Sequence, residues 1–168
     1  ALGLNIRSAV LQGRGNYLCK RRIDTLTHDP TYADEPTIQA LAEWSQNTPL
    51  GLRSYVPFPV EPDLWEKVES DSDLTMRVRC PHYQTCHYYE ARRAASGAHL
   101  VIVNHALLLS DLAIREQVNH GILPKYDRVV LDEAHHLEQA ATGAMAQRLT
   151  YRAIQRATTP LLSRGKKR

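Results

Sequence analysis

The sequence predicts an α/β fold, a parallel sheet interrupted by a mostly helical insertion. Leu100-Val101-Ile102-Val103 and Arg128-Val129-Val130-Leu131 are short apolar runs of the buried-strand type. Each leads into a segment with helical spacing, and strands alternating with helices build parallel sheets. A third observation sets the insertion apart: no run of this type occurs from about residue 20 to 97.

The elements follow in order. Ala9-Val10-Leu11 reads as a strand entering the loop at Gly13. Asp34 to Thr48 reads as a helix, with Asp34 as cap, Pro36 in the first turn, and Ile38, Leu41 and Ala42 on one face. Thr48-Pro49-Leu50-Gly51 ends it. Pro57, Pro59 and Pro62 mark an extended connector over 53–62, and Asp63 to Glu69 is a short helix. Tyr83 to Gly97 is again helical, with Tyr88, Tyr89 and Ala95 near the packed side and Gly97 as C-cap. Asn104 caps a helix through Leu107, Leu108 and Leu112. After the second apolar run a helix carries Leu137, Ala140, Ala141 and Ala144. The tail Arg164-Gly165-Lys166-Lys167-Arg168 reads as a solvated basic end.

Composition bounds the function classes. Apolar residues make up 43% and charged residues 23%, which suits a folded globular chain and excludes a disordered or fibrous one. The 168 residues are a one-domain length. A net charge of +3 points weakly to a polyanionic partner. No apolar run nears the ~18 residues of a helical membrane span, so no membrane partner is expected. Ala1 to Arg14 has no long apolar stretch of the secretory type. Met76 and Met145 are the only methionines, so the chain is expected to derive from something larger. Three cysteines, Cys19, Cys80 and Cys86, are an odd number without a signal, which favours reduced thiols in a cytoplasmic setting. Clustered thiols of this kind ligate metal or are small buried residues; the count leaves both open.

Asp132-Glu133-Ala134-His135 is the strongest local signal. Two adjacent carboxylates stand at the carboxyl end of an apolar strand, the edge where open α/β sheets bind ligands. An Asp there can hold Mg²⁺, a hard cation that keeps several waters. The neighbouring Glu can orient or deprotonate a water for attack on a γ-phosphate. Asp and Glu also favour first helical turns by capping and the helix dipole, so the pair alone would not decide.

Val129-Val130-Leu131-Asp132-Glu133-Ala134-His135 resembles the Walker B, or DEAH, box of superfamily 2 helicases. Gln12-Gly13-Arg14-Gly15-Asn16-Tyr17-Leu18-Cys19 resembles the segment carrying the first cluster cysteine in the DinG/XPD group of iron–sulfur helicases. Cys80-Pro81-His82-Tyr83-Gln84-Thr85-Cys86 and Tyr88-Tyr89-Glu90-Ala91-Arg92-Arg93 resemble the last two cysteines and the following helix. Leu100 to Leu109 resembles the strand and Asn-His segment between cluster domain and DEAH box. The four segments stand in the family's order over roughly Leu11 to Ala141, and the bacterial DinG-like branch fits better.

The resemblance implies part of a RecA-like first motor domain with an iron–sulfur insertion. Residues 1–18 would lead from the motor core, 19–97 would form the cluster domain, and 98–168 the DEAH-bearing motor portion. The parent would be a monomeric helicase that couples ATP hydrolysis to 5′-to-3′ movement on single-stranded DNA in repair or replication. Asp132 would hold Mg²⁺, Glu133 would activate water, and His135 would couple nucleotide state to other motifs. Cys19, Cys80 and Cys86 would hold the cluster. Arg14, Tyr17, Lys20, Arg21, Arg22, Arg92 and Arg93, with Tyr83, Tyr88 and Tyr89 among them, would suit a single-strand path by phosphate contact and stacking.

Two departures stand out. No G-x-x-x-x-G-K-[ST] occurs, so the phosphate cradle and its Lys are missing from this sequence, and hydrolysis by this chain alone is not expected. The family's C-x₄-C-x₅-C spacing meets Thr75 in place of a cysteine. Asp71 or Asp73 could then supply oxygen, and His82 or His87 nitrogen. Three outcomes stay open: a cluster on three thiolates, Zn²⁺ on Cys₃His, or no metal. A non-enzymatic nucleic-acid-binding module with a zinc or degenerate site is the reading from another class.

Overall fold

A computed structural model describes residues 5–118 and 120–145, with the side chains of residues 144 and 145 excepted. Strand β1 (Ser8–Val10) pairs in parallel with β2 (Leu100–Ile102), Ser8 opposite Leu100 and Val10 opposite Ile102. The Leu11 N–H extends the ladder to the Ile102 carbonyl at 2.9 Å. Everything between the strands is one long crossover, which parallel pairing requires.

Four helices lie in that crossover: α1 (Lys20–Thr27), α2 (Pro36–Asn47), α3 (Pro62–Val68) and α4 (His87–Ser96). The sequence reading gave three of them. It passed over α1 because Lys20-Arg21-Arg22 reads as a basic run, yet Ile23 turns inward and pins the helix. The first core joins Leu18, Ile23, Ile38, Leu41, Trp65 and Val68. The Trp65 indole N–H donates to the Gly15 carbonyl at 2.8 Å, so α3 is tied to the turn before Cys19. Antiparallel bridges Tyr17–Leu52 and Leu18–Glu69 close the same turn. Glu35, not Asp34, is the N-cap of α2, and no side chain caps it; Pro36 at the first position fixes the entry. The helix after Cys86 starts at His87 rather than Tyr83, because residues 80–85 form turns around Pro81.

A second core of Leu11, Ala95, Leu107, Leu108 and Leu123 fastens β1 and α4 to α5 (His105–Val118). The Asn104 side chain accepts the Leu107 N–H at 2.9 Å, as its capping role predicts. Helix α6 (Leu137–Met145) lies against α5.

Two strand expectations need correction. Leu100–Ile102 is a strand but not a buried one: Leu100 and Ile102 are about half exposed, because only the face bearing Val101 is covered. Arg128–Leu131 is not a strand among the described residues, and Val130 is 93% exposed. An apolar run becomes a buried parallel strand only where a sheet edge and covering layers receive it. A two-stranded sheet of three-residue strands offers neither. The α/β class with a parallel pair stands. The tail 164–168 and residue 144's side chain lie outside the described residues.

Candidate cluster cavity and acidic box

The three cysteines come from separate places in the fold and line one cavity. Cys19 is the N-cap of α1, Cys86 is the N-cap of α4, and Cys80 closes the turn before Pro81. Thr75 and Asp71 also line it, and the space enclosed is small, about 30 Å³. All three thiols are free and partly exposed. Two of them sit at the positive ends of helices, where a thiolate is favoured. Burial nevertheless pushes the Cys19 thiol up, more than the Arg22 and Arg21 N–H groups and the Arg21 charge bring it down.

Three guanidiniums stitch the cavity wall. Arg14 reaches Ser70 Oγ at 3.5 Å, Arg21 donates to the Leu74 carbonyl at 2.9 Å, and Arg22 donates to the Glu69 and Glu66 carbonyls at 2.8 Å each. Arg14 also lies 3.9 Å over the Tyr88 ring. Burial raises the Tyr89 phenol, but the Arg14 guanidinium and the Thr75 hydroxyl beside it more than offset this and hold it below the usual tyrosine range.

Three thiolates could hold an iron–sulfur cluster or, with one further donor, a zinc ion. The fit is incomplete at Thr75, which brings a neutral hydroxyl where a thiolate would stand. Neither histidine mends it. His82 faces Asp24 at 3.8 Å, and His87 is buried against Gly51, away from the cavity.

The acidic box is built differently. Asp132 Oδ1 accepts the Glu133 N–H at 3.0 Å, and the Asp132 carbonyl meets His105 Nε2 at 2.9 Å. Glu133 adopts a left-handed backbone, φ 49°, which is costly for a non-glycine residue. Its Oε2 lies 3.3 Å from His135 Nδ1. Asp132, Glu133 and His135 are all exposed. Glu133, His135 and His136 converge closely enough to share a cation.

The residues read as nucleic-acid contacts divide. Tyr17 is 1% exposed, packs edge-on against Tyr88, and its hydroxyl accepts the Gln12 N–H at 3.0 Å, so it belongs to the core. Tyr88 is buried as well, whereas Tyr83 and Tyr89 are half-buried, with ring centroids 4.7 Å apart and planes tilted by 53°. Arg14 and Arg21 are spent on the cavity wall. Lys20 and Arg92 are half-buried, and Arg93 is exposed with a bond to the Gln84 carbonyl at 2.7 Å.

One group escaped the sequence reading. Asp111 is fully buried. It accepts from Arg115 Nε and the Leu123 N–H at 2.7 Å each and from the Tyr126 hydroxyl at 3.3 Å. Arg115 also donates to the Leu123 and Pro124 carbonyls. The network clamps residues 121–126 onto α5 just before the acidic box. The signal was there: Asp111 falls on the Leu107–Leu108 face, with Arg115 one turn on.

The DEAD_2 family profile matches residues 63–154, more than half of the sequence. The chain belongs to the DEAD_2 family. It is 29% identical over 158 residues to the ATP-dependent DNA helicase YoaA of Haemophilus influenzae, covering 92% of this chain and 25% of that protein. It is 31% identical over 153 residues to YoaA of Escherichia coli, covering 87% and 24%. It is 33% identical over 150 residues to the 3′-5′ exonuclease DinG of Bacillus subtilis, covering 87% and 16%. The chain thus spans a quarter or less of the length of these relatives.

Proposed function

We propose that this chain is a portion of the first motor domain of an ATP-dependent DNA helicase of the DinG type. In this reading residues 1–18 and 98–168 belong to a RecA-like motor and 19–97 form its cluster domain. The observation that carries it is the convergence of Cys19, Cys80 and Cys86 on one cavity in a chain that also bears Asp132-Glu133-Ala134-His135.

Cys19, Cys80 and Cys86 would hold an iron–sulfur cluster, which when bound supplies a rigid cross-link between α1, α4 and the turn at Pro81. Asp132 would orient Mg²⁺ through its carboxylate, and Glu133 would take a proton from the water that attacks the γ-phosphate of ATP. His135, 3.3 Å from Glu133, would couple nucleotide state to other motifs. Lys20, Arg92 and Arg93 would contact phosphates of single-stranded DNA, and Tyr83 and Tyr89 offer stacking faces. The reading further takes the parent as a cytoplasmic, 5′-to-3′ translocating monomer in repair or replication, and this chain as inactive alone.

Metal analysis of anaerobically purified chain tests the cluster. Near-stoichiometric iron and acid-labile sulfide with visible absorption are expected. Zinc alone, or folded protein without metal, would overturn it and favour a non-enzymatic nucleic-acid-binding module. For the motor, Glu133→Gln in the full-length protein should lower ATP hydrolysis by roughly 100-fold or more. Unchanged hydrolysis would remove Glu133 from the mechanism.

A further inference from the structure

The chain leaving the apolar run 128–131 gathers three ligand-type side chains on one short turn. Glu133, at φ 49° and ψ 44°, opens the 3₁₀ turn Ala134–His136, and the His136 N–H donates to the Glu133 carbonyl at 2.9 Å. One ligand atom from each of Glu133, His135 and His136 lies within 4.8 Å of the other two. Glu133 Oε2 and His135 Nδ1 are 3.3 Å apart, and the two imidazole centroids are 4.0 Å apart. The turn is tied to the fold through its neighbour Asp132. That residue's carbonyl meets His105 Nε2 at 2.9 Å, and its Oδ1 accepts the Glu133 N–H at 3.0 Å.

Spacing and donor type both suit a transition-metal ion. Zinc–ligand bonds of about 2.1 Å place the corners of a tetrahedron about 3.4 Å apart. The Glu133–His135 pair already stands at that separation. All three side chains are exposed, so turning the His136 ring can bring in the third donor and leave a fourth position to water. Neutral imidazoles suit Zn²⁺ and its transition-metal neighbours, whereas Mg²⁺ takes hard oxygen ligands. The trio is therefore chemically distinct from the Asp132 carboxylate, the ligand proposed for Mg²⁺.

We propose that Glu133, His135 and His136 form a binding site for a transition-metal dication, Zn²⁺ above all. The site draws on this turn alone and stands without the motor reading. One consequence does rest on that reading. An ion on the Glu133 carboxylate engages the group that would take the proton from water, so zinc would slow ATP hydrolysis.

The test is calorimetric titration of the full chain with zinc chloride in excess Mg²⁺. Zinc taken up by the thiols is common to every variant, so differences between variants read this site. Wild type should bind about one zinc more than His135→Gln or His136→Gln, or bind it roughly 10-fold tighter or more. Exposed His120→Gln should match wild type. The two substitutions are independent, so one that misfolds leaves the other to decide. Wild-type uptake in His135→Gln and His136→Gln, or loss of the extra zinc to Mg²⁺, would overturn the site. In the full-length protein zinc should lower ATP hydrolysis, and His136→Gln should relieve part of that inhibition. Zinc binding with no relief in His136→Gln would overturn the effect on hydrolysis and keep the site. Unchanged hydrolysis in Glu133→Gln would instead overturn the catalytic role of Glu133 and keep the site.

Discussion

The thiol cavity and the acidic box carry the two strongest motifs of this chain, and they are built in opposite ways. Around Cys19, Cys80 and Cys86 the polypeptide supplies its own context. The turn before Cys19 is bolted to α3 by Trp65, two β-bridges close it, and three arginines stitch the wall. Around Asp132 the context is thin. The run Val129-Val130-Leu131 lies open to solvent, and the box is tied back by the His105 contact and by the Asp111 clamp upstream. A motif's chemistry is local, but its burial is a property of what packs on it. Among the described residues the packing is present for one motif and little of it for the other.

Four perturbations sharpen that contrast. Asp111→Ala should have the largest effect. It strands the buried Leu123 N–H and unclamps the approach to the acidic box, at a cost of about 2–4 kcal/mol. Urea denaturation checks the cost. Amide exchange should show added opening over 121–136 with little change at Cys19, and an equal loss of protection at both would merge the two regions.

Gly51→Ala should do the reverse. Gly51 has φ +61°, and a Cβ there would run into the His87 ring. The strain should cost roughly 1–3 kcal/mol. Its carbonyl accepts the Leu18 N–H at 2.9 Å, so the damage should speed thiol labelling of neighbouring Cys19. Labelling at the wild-type rate in a destabilised variant would argue against this path.

A smaller effect comes from His87, buried with neither ring nitrogen hydrogen-bonded. Burial, then the Lys20 charge, pushes its pKa below the ordinary 6.5, against weaker upward pulls from the Ser45 backbone and Glu90. The folded state resists the proton that the unfolded chain accepts. Stability is therefore full above about pH 6.5 and falls as pH drops from there toward the lowered folded value. His87→Gln should flatten that slope, seen by comparing urea midpoints at about pH 7.5 and pH 5.5. An unchanged slope would place the titration elsewhere.

Val130→Lys should do least, within about 0.5 kcal/mol, since the side chain is already in water. A loss several times larger would mean that the apolar run is packed after all.

Much of this was legible in the residues themselves. The proline at 36 and the Ile38–Leu41 spacing marked α2, Asn104 marked the start of α5, and the cysteine pattern with its gap at Thr75 marked the cavity. Three features were not. Helix α1 hid behind its basic first turn. The burial of Tyr17 depended on Tyr88 arriving from 71 residues downstream, which no local pattern encodes. The run 128–131 carried every mark of a buried strand, and only the sheet around it could have said otherwise. Local pattern specifies which face is apolar; long-range pairing decides whether anything covers it.

The register of β1 on β2 has a consequence for how the molecule comes together. Arg7 and His99 meet across 92 positions of chain. Closing a floppy loop of that length is slow, and a pair of three-residue strands returns little for it. The crossover must therefore shorten itself first, by folding α1 to α4 about their shared core, before the two strand ends come within reach. The thiols are gathered in that earlier step. Assembly is expected to run from the cavity outward, with the sheet closing last.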